Sequence, residues 1–191
     1  MLRASQLDVD RALLLEIDLQ ETLLTLIPDH QRIVAATRKL LEGARVFRLP
    51  VLATEQYPKG LGKTHASIRA ALDASDATLL EKQTFSARGD EAVRTALDTV
   101  DRPQVILVGI EAHICVQQTA LDLVAGDYDV FVCADAVGSR GAMDYEASLS
   151  RMRQEGVLVT SVESVLFELC NRCDTAEFKE LIEIIKAAPP D

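Results

Sequence analysis

Residues 104–124 read QVILVGIEAHICVQQTALDLV: an apolar run that stops at a glycine, a short mixed stretch, then an amphipathic one. The run QVILVG (104–109) is Val- and Ile-rich and apolar without alternation, as expected of a parallel strand buried on both faces. Val116–Val124 carries apolar residues at helical spacing, so the whole stretch reads as strand, turn, helix. The same unit recurs along the chain. ALLLEI (12–17), PVLAT (50–54), TLLEK (78–82), DVFVCA (129–134) and VLVTS (157–161) are further strand candidates. The clearest helical pattern between them spaces Ile33, Ala36, Leu40, Leu41 and Ala44 three and four apart, with Arg38, Lys39 and Glu42 on the other side. Others cover Ala92–Leu97, Tyr145–Met152 and Phe178–Ile185. Strands alternating with helices predict right-handed crossovers and an α/β/α sandwich around a six-stranded, mostly parallel sheet. Gly43, Pro50, Gly60, Gly62, Gly89, Pro103, Gly109 and Gly126 are expected between elements.

Composition bounds the function. A length of 191 residues without linker or repeat predicts one domain spanning 1–191. With 48% hydrophobic and 26% charged residues the chain has globular composition, and AAPPD (187–191) alone is expected to fray. A net charge of −10 with no basic run argues against nucleic acid and against an anionic membrane as main partners. Absence of tryptophan and 4% aromatic content leave little for stacking bases. No apolar stretch approaches the ~18 residues that a membrane-spanning helix requires. The start, MLRASQLDVDRALLLEIDLQ, lacks a signal-peptide pattern because acids interrupt its apolar runs. Four cysteines are too few for a disulfide scaffold and read as reduced thiols, so a cytoplasmic location is expected.

In such sheets ligands bind at the carboxyl ends of strands, so the residues that follow each strand are the candidates. Asp18 follows the first strand, either as an acid of the site or as an N-cap for the next helix. Lys82 ends the third, as a charged group of the site or a solvated structural lysine. Cys115 follows the fourth, at or near a helix N-terminus, where the helix dipole favours thiolate and free N–H groups can bind an oxyanion. The alternative for Cys115 is a buried thiol packed as a small hydrophobe. Together the three suggest one constellation: Asp18 accepts the thiol proton, Lys82 holds both by charge, and Cys115 attacks a carbon electrophile.

These residues resemble those of the isochorismatase-like cysteine hydrolases, in the YcaC-related, isochorismatase domain-containing branch. The likeness rests on DLQ (18–20), EKQTFS (81–86) and GIEAHICV (109–116), with TEQYPKGLG (54–62), ADAVGSR (134–140), RMRQEG (151–156) and FKELI (178–182) extending it over nearly the whole chain. The resemblance implies the strand order 3-2-1-4-5-6 and carries the catalytic roles onto Asp18, Lys82 and Cys115. It implies a non-proline cis peptide at Ile110–Glu111, which turns the Glu111 N–H towards the point faced by the Cys115 N–H and makes an oxyanion hole. It also implies a homo-oligomer, a small-molecule substrate and no cofactor. Gln20, Gln56, Tyr57, Phe85 and His113 are the candidate substrate contacts; for Phe85 and His113 the alternatives are core and structural use. Nicotinamidases of the superfamily carry an Asp-x-His metal site with further histidines after strand two. The corresponding TEQYPKGLGKTH (54–65) has only His65, so no metal is expected. Position 111 is Glu where some relatives have a small residue or threonine; its carboxylate either faces the hole or points away.

Two motifs are decoys. GLGKT (60–64) ends like a P-loop, but the position that requires the first glycine is Tyr57. Cys170 and Cys173 form a C-x-x-C late in the chain, without the strand-to-helix context of a redox motif or two further zinc ligands. Cys133, inside DVFVCA, reads as core. The expected activity is therefore metal-independent hydrolysis of a small amide or related electrophile through a thioester-type intermediate. The rival is a non-catalytic or redox-sensing protein that keeps the fold.

Overall fold

The structure is a computed structural model and describes residues 6–187. In chain order the strands are β1 (Ala12–Ile17), β2 (Val51–Gln56), β3 (Thr78–Lys82), β4 (Gln104–Ile110), β5 (Asp129–Gly138) and β6 (Leu158–Thr160). They form one sheet in the order β3-β2-β1-β4-β5-β6, with every neighbouring pair parallel. Helices α1 (Glu21–Leu24) and α2 (His30–Val46) follow β1, and α3 (Pro58–Leu61) and α4 (Ala66–Ala74) follow β2. Then come α5 (Glu91–Val100), α6 (Gln117–Val124), α7 (Ala142–Gln154), α8 (Val162–Cys170) and α9 (Ala176–Lys186).

The side-chain alternation of β1 explains its unbroken apolar run. Ala12 and Leu14 face one core with Ile33 and Leu40 of α2, Ile68 of α4 and Val165 of α8. Leu13, Leu15 and Ile17 face the other core with Val93 of α5, Ala120 of α6 and Met152 of α7. Successive strand residues point to opposite faces, so a strand covered on both sides is apolar at nearly every position.

Differences from the sequence expectation have local causes. β2 runs two residues past the apolar run because Glu55 and Gln56 find buried polar partners. β5 continues to Gly138, and the Asp135 carboxylate on this extension accepts the Val162 N–H at 2.9 Å, capping α8. Helix α8 was not expected, although Val162, Val165, Leu166 and Leu169 make an apolar stripe at helical spacing. Gly43 lies inside α2 rather than between elements: a Cβ there would sit 2.1 Å from Leu166 Cδ2, so it lets α8 approach closely. Gly60 falls within α3 and Gly89 in a 3-10 turn. The AAPPD end, apart from Ala187, lies outside the described residues. Among the described residues no helix is long and apolar enough to cross a membrane.

Candidate active site

β1 stops at Ile17, and the next residue, Asp18, has a left-handed backbone (φ 54°). The register pairs Ile17 with Thr54 of β2 and with Gly109 of β4, so the ends of three central strands lie side by side. Asp18 is fully buried. Its N–H donates to the Thr54 carbonyl (3.1 Å), and the Thr54 hydroxyl donates to Asp18 Oδ1 (2.7 Å). Across β2, the last residue of β3 sends Lys82 Nζ to within 2.7 Å of Asp18 Oδ2, with both side chains shielded from solvent. The ammonium also donates to Gln56 Oε1 (2.6 Å) and to the carbonyls of Thr84 (3.2 Å) and Phe85 (3.3 Å). Asp18 is thus no helix cap, and Lys82 is no surface lysine.

Cys115 enters from β4. The Ile110–Glu111 peptide is cis, and Ala112–Val116 forms a single wide turn before α6. Within it the Val116 and Gln117 N–H groups reach back five residues, to the carbonyls of Glu111 and Ala112. Cys115 is buried, and the charges of Asp18 and Lys82 act on its thiol. Burial first, then the negative charge of Asp18, push that thiol up to about 12, against the pull of Lys82. Burial and the Asp18 charge thus oppose the thiolate that the helix terminus favours. Burial also raises the Asp18 carboxyl above its ordinary value, while Lys82 and the Thr54 hydroxyl oppose it. Desolvation makes this carboxylate a stronger base than an exposed aspartate.

Several expected substrate contacts have other work. Gln20 is fully buried: its Oε1 accepts the Gln56 N–H (2.8 Å), and its Nε2 donates to the carbonyls of Gln56 (3.1 Å) and Gly62 (2.6 Å). It ties down the 56–62 loop instead of lining a pocket. Gln56 holds Lys82 and donates to the Gln83 carbonyl (3.0 Å), so it supports the ammonium. Tyr57 and Phe85 are exposed at the loops after β2 and β3, with the Tyr57 ring against Gly60. His113 Nδ1 lies 2.9 Å from the Ser139 hydroxyl. The Glu111 carboxylate points to Arg140, accepting its N–H (3.1 Å) and Nε–H (3.0 Å), and so does not stand as a free charge. His65 Nδ1 accepts the Ser67 N–H at the start of α4 (3.3 Å). Among the described residues no group of three His, Cys, Asp or Glu is placed to hold a metal ion.

Sequence reasoning missed Thr54 and Glu16. Thr54 closes an apolar run and carries no motif; only the register shows it beside Asp18. Glu16 lies in the middle of the central sheet, fully buried, and burial pushes its carboxyl up to about 8. The folded chain then holds a proton that the unfolded chain releases near the ordinary glutamate value, so this group's contribution to stability is complete in acid and is lost as pH rises through about 8. Glu16→Gln should remove that loss. Its melting temperature should exceed the wild type's at pH 9 and approach it at pH 5; parallel curves across that range would contradict the assignment.

The isochorismatase domain model matches residues 12–164. Isochorismatase domain-containing protein 1 of Salmo salar is 39% identical over 175 residues, covering 91% of this chain and 60% of that protein; the chain thus spans about three fifths of its length. A solved structure of MAR1 ribonuclease from Caenorhabditis elegans is 34% identical with a TM-score of 0.90, covering 98% of this chain and 95% of the other. YcaC of Escherichia coli, described as an octameric hydrolase of unknown specificity, is 26% identical with a TM-score of 0.87, over 94% and 90% of the two chains.

Proposed function

This chain belongs to the isochorismatase domain family, and from that premise we propose that it is a metal-independent cysteine hydrolase of small amides or related carbon electrophiles. The observation that carries the proposal is the buried contact of Lys82 with Asp18 at 2.7 Å, with the buried Cys115 thiol under the influence of both charges. Three side chains from three strands meet where a charged pair is costly to bury and has no packing value of its own.

Asp18 takes the thiol proton as Cys115 Sγ bonds to the substrate carbonyl carbon. The backbone N–H groups of Glu111 and Cys115 receive the oxyanion. Asp18 passes the proton to the departing nitrogen, the C–N bond breaks and a thioester remains. Asp18 then draws a proton from water as the water oxygen attacks the thioester, and the acid and the thiol are released. Lys82 keeps Asp18 ionised between steps. Tyr57, Phe85 and His113 form the rim that meets the substrate, and Gln20 and Gln56 act behind it. No cofactor is required. We place the enzyme in the cytoplasm, where its thiols stay reduced, and as a homo-oligomer, in line with the octameric E. coli relative.

The C. elegans relative is described as a ribonuclease. A net charge of −10 weighs against a polyanionic substrate for this chain. Burial and the Asp18 charge, which disfavour the thiolate, weigh against the redox-sensing alternative, because it is the thiolate that attacks oxidants.

Iodoacetamide labelling followed by mass spectrometry from pH 6 to 10 tests the constellation without a known substrate. At each pH Asp18→Asn should speed labelling of Cys115, because removing the adjacent negative charge favours the thiolate, and Lys82→Met should slow it. Cys173, which is exposed, is the internal reference. If Cys115 labels at the same rate in all three proteins, the triad assignment is wrong.

A further inference from the structure

Glu111 is tied to its surroundings by two of its polar groups, and the mechanism above uses a third, its N–H. The Glu111 carbonyl accepts the Ile114 N–H (3.0 Å) and the Val116 N–H (3.2 Å), which closes the turn that carries Cys115. The carboxylate lies in a buried residue, and its Oε2 accepts both the Arg140 N–H (3.1 Å) and the Arg140 Nε–H (3.0 Å). Arg140 stands two residues past β5, whose last residue, Gly138, pairs with Ile110 at the end of β4. The same short loop meets the Cys115 turn a second time, where His113 Nδ1 lies 2.9 Å from the Ser139 hydroxyl. Gly141 then leads into α7, which Leu149 and Met152 anchor in the core. The loop that grips Glu111 is thus itself fixed at both ends.

These bonds bear on the oxyanion donors. A peptide unit is planar, so the direction of the 111 N–H follows from how the residues on either side of it are held. Ile110 is held in the ladder with β5, and Glu111 is held by its carbonyl and its carboxylate. The Cys115 N–H belongs to the turn that the Glu111 carbonyl closes, so one residue positions both donors. Charge acts in the same sense. Bound by Arg140, the carboxylate is turned from the hole; released, its negative charge would oppose an oxyanion forming at its own N–H.

We propose that Arg140 is a positioning residue of the oxyanion hole: its backbone and side-chain N–H groups grip the Glu111 carboxylate and so hold the 111 N–H and the Cys115 turn in the geometry that receives the oxyanion. This rests on the cysteine-hydrolase reading above. In this role Arg140 acts through Glu111 and not on the reacting atoms.

Two reactions of one thiol test it. Acetylation by p-nitrophenyl acetate passes through an oxyanion: Sγ bonds to the carbonyl carbon, Asp18 takes the thiol proton, and p-nitrophenolate leaves with the electrons of the broken C–O bond. Alkylation by iodoacetamide displaces iodide from a saturated carbon and forms no oxyanion. The ratio of the two rates at Cys115, followed by mass spectrometry at one pH, cancels what a variant does to the thiol itself. Arg140→Ala should lower that ratio about tenfold, since misplacing a catalytic group by about 1 Å costs up to ~10² in rate. Glu111→Ala should lower it at least as far, and Glu111→Gln, which keeps an oxygen for both Arg140 donors, should recover most of the loss. Combining Glu111→Ala with Arg140→Ala should cost no more than Glu111→Ala alone, because the two side chains act as one unit. The Arg140 side chain is more than half exposed, so Arg140→Ala gives its result even if Glu111→Ala fails to fold. An unchanged ratio in Arg140→Ala, whether both rates hold or both fall together, overturns the proposal while Cys115 remains the nucleophile. If wild-type Cys115 alkylates but takes no acetyl group, the oxyanion hole and this proposal fall together. Failure of Cys115 to react with either reagent, with Cys173 labelled, overturns the hydrolase reading as well.

Discussion

Cys115→Ala and Cys115→Ser are expected to reduce hydrolysis of any small amide that the wild type turns over by roughly 10³-fold or more, the scale seen when a catalytic nucleophile is deleted. Alanine leaves no atom to form the covalent bond. Serine keeps an oxygen near the Sγ position, but its proton is far harder to remove, and Asp18 is the base proposed to take it. Both variants should fold, because the side chain is small and the turn around it is held by the Val116 and Gln117 backbone bonds. Unfolding curves near the wild type's, combined with lost turnover, separate chemistry from stability. Retention of wild-type turnover in either variant would remove Cys115 from the mechanism.

Gly109→Ala should be the most destabilising single methyl addition. Gly109 pairs with Ile17 at the ends of the two central strands and has φ 123°, a region that L residues rarely adopt. A Cβ there would lie 2.0 Å from the Ile17 carbonyl oxygen and 2.7 Å from its carbonyl carbon and nitrogen. These are backbone atoms of a strand paired on both sides, so no side chain can rotate away to relieve the overlap. We expect a loss of more than about 4 kcal/mol, in the range reserved for a broken structural requirement. Urea unfolding, or failure to recover folded protein, would report it. Gly156→Ala is the control: its φ is 94°, but a Cβ there meets nothing within 4 Å. Backbone strain alone should cost it about 1 kcal/mol. Equal losses for the two would mean that the close approach of β4 to β1 is not what demands glycine at 109. The same approach brings the Cys115 turn next to Asp18, so residual folded Gly109→Ala should also label slowly at Cys115.

Much of the architecture was legible from local pattern. Continuous apolar runs such as QVILVG identify strands covered on both faces, and the stripe from Ile33 to Ala44 identifies α2. The runs misjudged strand ends wherever polar residues continued the ladder, as at Glu55, Gln56 and Asp135, because hydrophobicity measures burial against water and not hydrogen bonding to a neighbouring strand. Gly43 was misread as punctuation for a related reason: its use is to admit Leu166, a residue 123 positions away, and no local pattern records that contact.

The chemistry divides in the same way. By itself the sequence determined that the chain alternates strand and helix, that Asp18, Lys82 and Cys115 each follow a strand, and that a net charge of −10 disfavours polyanions. Those are properties of residue type and spacing, which the chain carries whether folded or not. Only the tertiary structure decided that Lys82 lies 2.7 Å from Asp18, that Thr54 and Gln56 complete the pair, that Glu111 is turned to Arg140, and that Gln20 ties a loop. It also set burial and Asp18 against the thiolate form of Cys115 and showed Glu16 as a buried acid in the central strand. The physical reason is that proton affinity depends on which groups and how little water surround an atom. Strand register sets those surroundings by bringing together residues that are dozens of positions apart.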